Sequence, residues 1–292
     1  MRLKHKIALP MLGAGAFALA MGTPGLASAQ GSGSTTYTAN LQPVPLNTPM
    51  GAASGHLTLT LNGDQATISE QVQGLGSTLP TDPATLASLG IPAAFAGKPF
   101  PHVQHIHGNA QGTCPTSASD TNHDGFVSVA EGLPSYGPIL TTLSVAPGGT
   151  GNGTSPDATN VTIAPSGGSF TYSRTITLDS ATLKSIQAGN AVIVVHGLNP
   201  ANAPKASLTT ANSVGLTLPG QSKPVAAIAT APALCGQLTA SQMAAMPSGA
   251  PQTGGGSTAG FQNVGLLATG GVLLLGGAGT LAFRRRKADA SG

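Results

Sequence analysis

In His56-Leu57-Thr58-Leu59-Thr60-Leu61 an apolar side chain stands at every second position, and Ala66-Thr67-Ile68-Ser69-Glu70-Gln71-Val72 resumes the same period. Successive side chains of a strand point to opposite faces, so this pattern predicts a β-hairpin with one face buried. Asn62-Gly63 between the two runs is a tight-turn dipeptide. Further strands are predicted over Tyr37 to Val44, His102 to His107, Ile139 to Ala146, Ser169 to Leu178 and Ala191 to Leu198, and short helices only over Pro83 to Leu89 and Ser180 to Ala188. Gly and Pro punctuate each join. The sum is an all-β domain, an antiparallel Greek-key β-sandwich or flattened barrel.

The two ends place this domain outside the cell. Arg2, Lys4 and Lys6, the apolar run Ile7 to Met21 and Ala27-Ser28-Ala29 follow the order of a secretory signal peptide over residues 1–29; the alternative is an uncleaved anchor. The domain then occupies 30–238, and 239–262 is a low-complexity tether. Residues 263–283 are an uncharged stretch long enough for a transmembrane helix, and the basic cluster Arg284-Arg285-Arg286-Lys287 within 284–292 keeps the tail in the cytoplasm. The expected partner of the tail is therefore the membrane.

Net charge is +3 over the 292 residues, yet seven of the twelve Lys and Arg lie in those two ends. Between Gln30 and Thr253 five basic residues face eight acidic ones, which gives −3 and leaves no basic patch for nucleic acid. No Gly-x-Ser-x-Gly elbow, His-Glu-x-x-His helix or phosphate loop occurs. Cys114 and Cys235 are the only cysteines, and in an oxidising compartment they are expected to pair; two free thiols are the alternative.

Two constellations point to metal. Asp120-Thr-Asn122-His-Asp124-Gly125-Phe126-Val-Ser128-Val-Ala-Glu131 fits the twelve-residue calcium loop over 120–131. Asp120, Asn122, Asp124, the Phe126 carbonyl, Ser128 and a bidentate Glu131 would then be the ligands. An ordinary acidic turn is the alternative, since no flanking helix is evident. Separately, His105 and His107 share one face of a predicted strand and His196 ends another. Three imidazoles on neighbouring strands could hold copper or zinc, or could merely hydrogen-bond at a polar sheet edge.

Tyr37-Thr-Ala-Asn-Leu41-Gln-Pro43-Val-Pro45, the Gly55 hairpin, Val72-Gln-Gly74-Leu75 and His105-Ile-His107-Gly108 resemble the CHRD domain, a β-sandwich found in many bacterial secreted proteins. The order His105-x-His107, Cys114, Val194-Val195-His196-Gly197, Leu234-Cys235-Gly236 is also similar to copper/zinc superoxide dismutase. That resemblance implies copper on His105, His107 and His196, a Cys114–Cys235 bridge, and His123 as the one histidine placed near a shared position. The dismutase's zinc loop is replaced here by the calcium-like loop, and its guiding arginine has no counterpart in Ala231-Pro-Ala-Leu234, which argues against dismutase activity. Ala250-Pro251-Gln252-Thr253-Gly254 resembles the sortase sorting signal, which implies cleavage between Thr253 and Gly254 and attachment to peptidoglycan, with a plain membrane anchor as the alternative. The combined expectation is a cell-surface, CHRD-like module that binds an extracellular protein or glycan, for adhesion or envelope interaction, around a structural calcium site. The alternative is a secreted copper-binding protein of dismutase type.

Overall fold

The computed structural model describes residues 33–241. The signal peptide, the Pro251, Thr253 and Gly254 sorting motif and the transmembrane stretch lie outside them. Among the described residues no helix is long and apolar enough to cross a membrane.

Nine antiparallel strands form one curled sheet: β1 (Thr35–Pro43), β2 (Ser54–Asn62), β3 (Gln65–Gln73), β4 (Gln104–His107), β5 (Ile139–Thr142), β6 (Ser169–Thr177), β7 (Val192–His196), β8 (Pro232–Gln237) and β9 (Thr239–Ala240). The order is β5-β4-β7-β8-β1-β2-β3-β6, with β9 beside β1. β1 makes the curl possible. Its first part pairs with β2, and its end, Gln42 and Pro43, pairs with β8, so the strand passes from one half of the sheet to the other. The result is a curled half-barrel whose concave side holds Leu41, Leu57, Leu59, Ile68, Ile106, Ile193 and Leu234.

The predicted hairpin forms with Asn62 opposite Gln65, so its loop is Gly63-Asp64 rather than Asn62-Gly63. Gly63 takes φ of +62°, the left-handed conformation that costs a glycine nothing. The last predicted strands are trimmed at their ends, and Thr239–Ala240, expected in the tether, extends the sheet instead. Four helices are present among the described residues where two were expected. α1 (Pro83–Ser88) and α3 (Ser180–Gln187) are joined by α2 (Val129–Tyr136) and α4 (Lys205–Thr209).

The convex face of β4, β7 and β8 is covered too. Residues 108–138 fold across it, with Val127 and Tyr136 packed on Val192, Val194 and Cys235. Two devices fix this cover. Cys114 and Cys235 are bonded, with Cα atoms 5.7 Å apart, as the cysteine count predicted. Asn47, buried, donates to the carbonyls of Val127 and Pro232 at 2.8 Å and accepts from Val127 N at 2.7 Å. Strands covered on both sides lose the apolar-polar alternation, which is why Val192-Ile193-Val194-Val195 is apolar throughout.

One carboxyl group sits in the concave core. Glu70 follows Ala66 and Ile68 on the inward phase of β3, is 1% exposed, and neither carboxyl oxygen has a hydrogen-bond partner. Burial pushes its pKa up to about 8, with the neighbouring Gln104 amide offsetting only part of that cost. Gln104 and the Tyr172 hydroxyl are likewise buried and unpartnered.

Candidate metal centre

β4 and β7 are adjacent, with His105 opposite Val194 and His107 opposite Val192, and His196 emerges on the same convex face one pair further on. The β4–β5 and β7–β8 ladders each slip in register beside a histidine, at Ile106/His107 and at Val195/His196. Such irregularities re-aim side chains. The three rings converge, with centroids 5.5 Å (His105–His107), 5.2 Å (His105–His196) and 5.7 Å (His107–His196) apart.

Hydrogen bonds fix which nitrogen of each ring is free. His105 Nε2 lies 3.0 Å from the Ala158 carbonyl, His107 Nδ1 2.7 Å from the Gly137 carbonyl, and His196 Nδ1 2.6 Å from the Thr230 carbonyl. A carbonyl only accepts, so each of those nitrogens carries the proton. The lone pairs then reside on His105 Nδ1, His107 Nε2 and His196 Nε2, and these are the three ring nitrogens that are buried without a partner. One nitrogen from each ring lies within 4.8 Å of the others. Around a tetrahedral ion with metal–nitrogen bonds of about 2.0–2.1 Å, ligands stand roughly 3.3 Å apart, so the rings would draw together around an ion.

Burial also holds the lone pairs available. It lowers the pKa of His105 well below the usual range, helped by the charges His196 and His107 would carry. It lowers His107 to about 3 and His196 to about 4, the neighbouring His196 adding to the effect on His107. Three neutral imidazoles whose second nitrogens donate to backbone carbonyls are the arrangement of metal-ligating histidines, in which outer partners set the tautomer. Three separate segments of the chain supply those carbonyls. Gly137 ends α2 at φ of +83°, where a Cβ would collide with the Gly108 carbonyl, so that position tolerates glycine alone. Tyr136 packs edge-on against His107 with centroids 4.6 Å apart. His102, buried and not singled out by the sequence, faces the His196 carbonyl at 3.0 Å and the Gly76 carbonyl at 2.9 Å, so it braces the β7 end.

His123 is not part of this group. It is exposed, at φ of +59°, in the loop the pattern assigned to calcium. There the Asp120 carboxylate accepts from Asp124 N (3.1 Å) and Gly125 N (3.0 Å), while Asn122 Oδ1 accepts from Asp124 N (2.9 Å). Ser128 caps α2, a helix the sequence reading missed, and Glu131 is its capping-box partner. The Glu131 carboxylate accepts from Ser128 N (2.9 Å), Thr121 N (3.1 Å) and Asn122 N (3.4 Å). Partial burial raises its pKa, but the hydrogen bonds from Ser128, Asn122 and Thr121 outweigh this and leave it lowered. Phe126, named for its carbonyl, buries its ring in the main core. Among the described residues the histidines are gathered as a metal-sized cluster, whereas Asp120, Asp124 and Glu131 are not.

Glu131→Ala is therefore expected to destabilise the domain by about 0.5–2 kcal/mol, the range for a lost helix cap, equally in calcium and in chelator. Melting under both conditions checks this. A calcium-dependent rise in the wild type that vanishes in the variant would return the ion to the loop. No family model, curated protein or solved structure matches this chain.

Proposed function

We propose that this chain is an exported, envelope-anchored protein whose external domain holds one copper ion on His105, His107 and His196. The observation that carries the reading is the set of three buried, unpartnered ring nitrogens, each made a lone-pair donor by a carbonyl on the opposite side of its ring. Buried polar atoms without partners are rare and call for an explanation, and a metal ion at their point of convergence supplies one. The donors are neutral, so a divalent ion brings two uncompensated charges below the surface and a cuprous ion one. Burying charge is costly, which with the Irving–Williams order favours copper over zinc. Bound copper would supply electron-transfer chemistry, and bound zinc a Lewis acid. The residues themselves bind, orient through Ala158, Gly137 and Thr230, and exclude bulk water.

The Greek-key, dismutase-like form of the sheet belongs to this reading, as does display on membrane or peptidoglycan. A CHRD-like adhesion role toward a protein or glycan, and calcium in residues 120–131, rest on the sequence patterns alone. Titration of the purified full chain tests the metal reading. One equivalent of copper is expected, with affinity falling more than roughly a hundredfold in His107→Ala or His196→Ala, because losing a ligand exceeds the ~10–100-fold cost of losing an outer partner. Unchanged affinity in both variants would contradict it.

A further inference from the structure

The three lone-pair nitrogens are themselves buried. The histidines that carry them form part of the lining of a cavity of about 260 Å³, larger than the roughly 150 Å³ that suffices for benzene. Its walls include Phe95, Phe100, Ile139, Leu216, Leu218 and Val225, and no Asp, Glu, Lys or Arg lines it. Apart from the histidines, its only polar side chains are Thr159 and Thr230. The mouth is apolar as well: Leu133 and Val214, both lining the cavity, are 37% and 49% exposed.

The wall is built rather than incidental. Buried Asn212 donates to the carbonyls of Leu216 (2.9 Å) and Val225 (2.8 Å) and accepts from Leu216 N (2.8 Å) and Val214 N (3.2 Å). Leu216 and Val225 are also joined directly, Val225 N donating to the Leu216 carbonyl at 2.9 Å. One satisfied amide thus shapes the Leu216 and Val225 part of the wall.

We infer that this cavity binds a small, uncharged, mainly apolar molecule that presents one neutral donor atom to the metal position. The inference rests on the metal reading above for the donor end and on the lining for the body. An apolar ligand gains from leaving water, whereas a charged body would lose its hydration with no side chain to replace it. Most ligand pockets share this plan of apolar walls and a few convergent polar groups.

Calorimetry on the zinc-loaded full chain tests it with 4-phenylimidazole, imidazole and benzoate. 4-Phenylimidazole is expected to bind at least about tenfold more tightly than imidazole, through burial of its ring, and more tightly than benzoate. Val214→Glu at the exposed rim should remove most of that preference without changing zinc content. A second arm uses metal-free protein and toluene, where one molecule per chain should bind and Leu216→Trp should block it. Zinc uptake without a ring preference and without toluene binding overturns the cavity inference alone. Toluene binding with uptake of neither zinc nor copper supports the cavity and overturns the metal reading. Dimerisation through Leu133 and Val214 with neither probe bound also overturns the inference.

Discussion

Between about pH 5 and pH 9 the metal-free wild type loses roughly 4 kcal/mol of stability relative to Glu70→Gln. The folded domain keeps a proton on Glu70 up to about pH 8, while the unfolded chain releases it near 4.5. The unfolded state therefore binds fewer protons in that window, and stability falls by about 1.4 kcal/mol per pH unit as pH rises through it. Below 4.5 the contribution is complete, and above 8 it is gone. The buried histidines act in the opposite sense. His102, His105, His107 and His196 have lowered pKa values, so the unfolded chain binds more protons below its usual histidine range and stability is lost as pH falls there. The difference between wild type and Glu70→Gln cancels those terms. Urea unfolding of both proteins at three pH values measures it, and parallel pH profiles would show that Glu70 is not buried as described.

Removing the Cys114–Cys235 bond is expected to cost about 4–5 kcal/mol, the chain-entropy value for closing a loop of this size. The two cysteines are 121 residues apart. For a domain of about 200 residues that corresponds to a fall in Tm of about 10–20 °C. The effect reaches the histidine cluster, because the bond holds down the segment that carries Tyr136 and the Gly137 carbonyl against His107. Cys114→Ser/Cys235→Ser should thus weaken copper binding as well as lower Tm. Calorimetry on the double variant checks the first, and metal titration below its melting point the second. A Tm within about 3 °C of the wild type would contradict the role given to the bridge.

The hairpin of β2 and β3 was legible because one face of it meets the core and the other meets solvent. The placing of His105 and His107 on one face was legible from the two-residue period of a strand alone, although β4 is buried on both faces. What the sequence hid depended on distant segments. The choice of ring nitrogen is made by Ala158, Gly137 and Thr230, none of which neighbours its histidine in the chain. α2 was missed because Gly132 and Pro134 argue against a helix, while Ser128 and Glu131, which cap it, were assigned to calcium. Pro134 is tolerated within a helix of eight residues. His123 lies within the covering segment but is exposed with its loop. Glu70 stood in the apolar phase of its strand all along, and only the curl of the sheet, which brings Gln104 near it, shows that this phase is sealed. The cavity wall from Val214 to Val225 has no regular period, and its shape comes from the Asn212 hydrogen bonds together with the direct Val225–Leu216 backbone bond.

Anomalous diffraction from crystals of the copper-loaded chain tests the metal centre most directly, since the carbonyl contacts predict atoms as well as residues. One ion is expected at about 2.0–2.1 Å from His105 Nδ1, His107 Nε2 and His196 Nε2, the distance for imidazole nitrogen bound to an ion of this size. An ion bound through the opposite nitrogens, an ion only at residues 120–131, or no ordered ion at stoichiometric copper would contradict it.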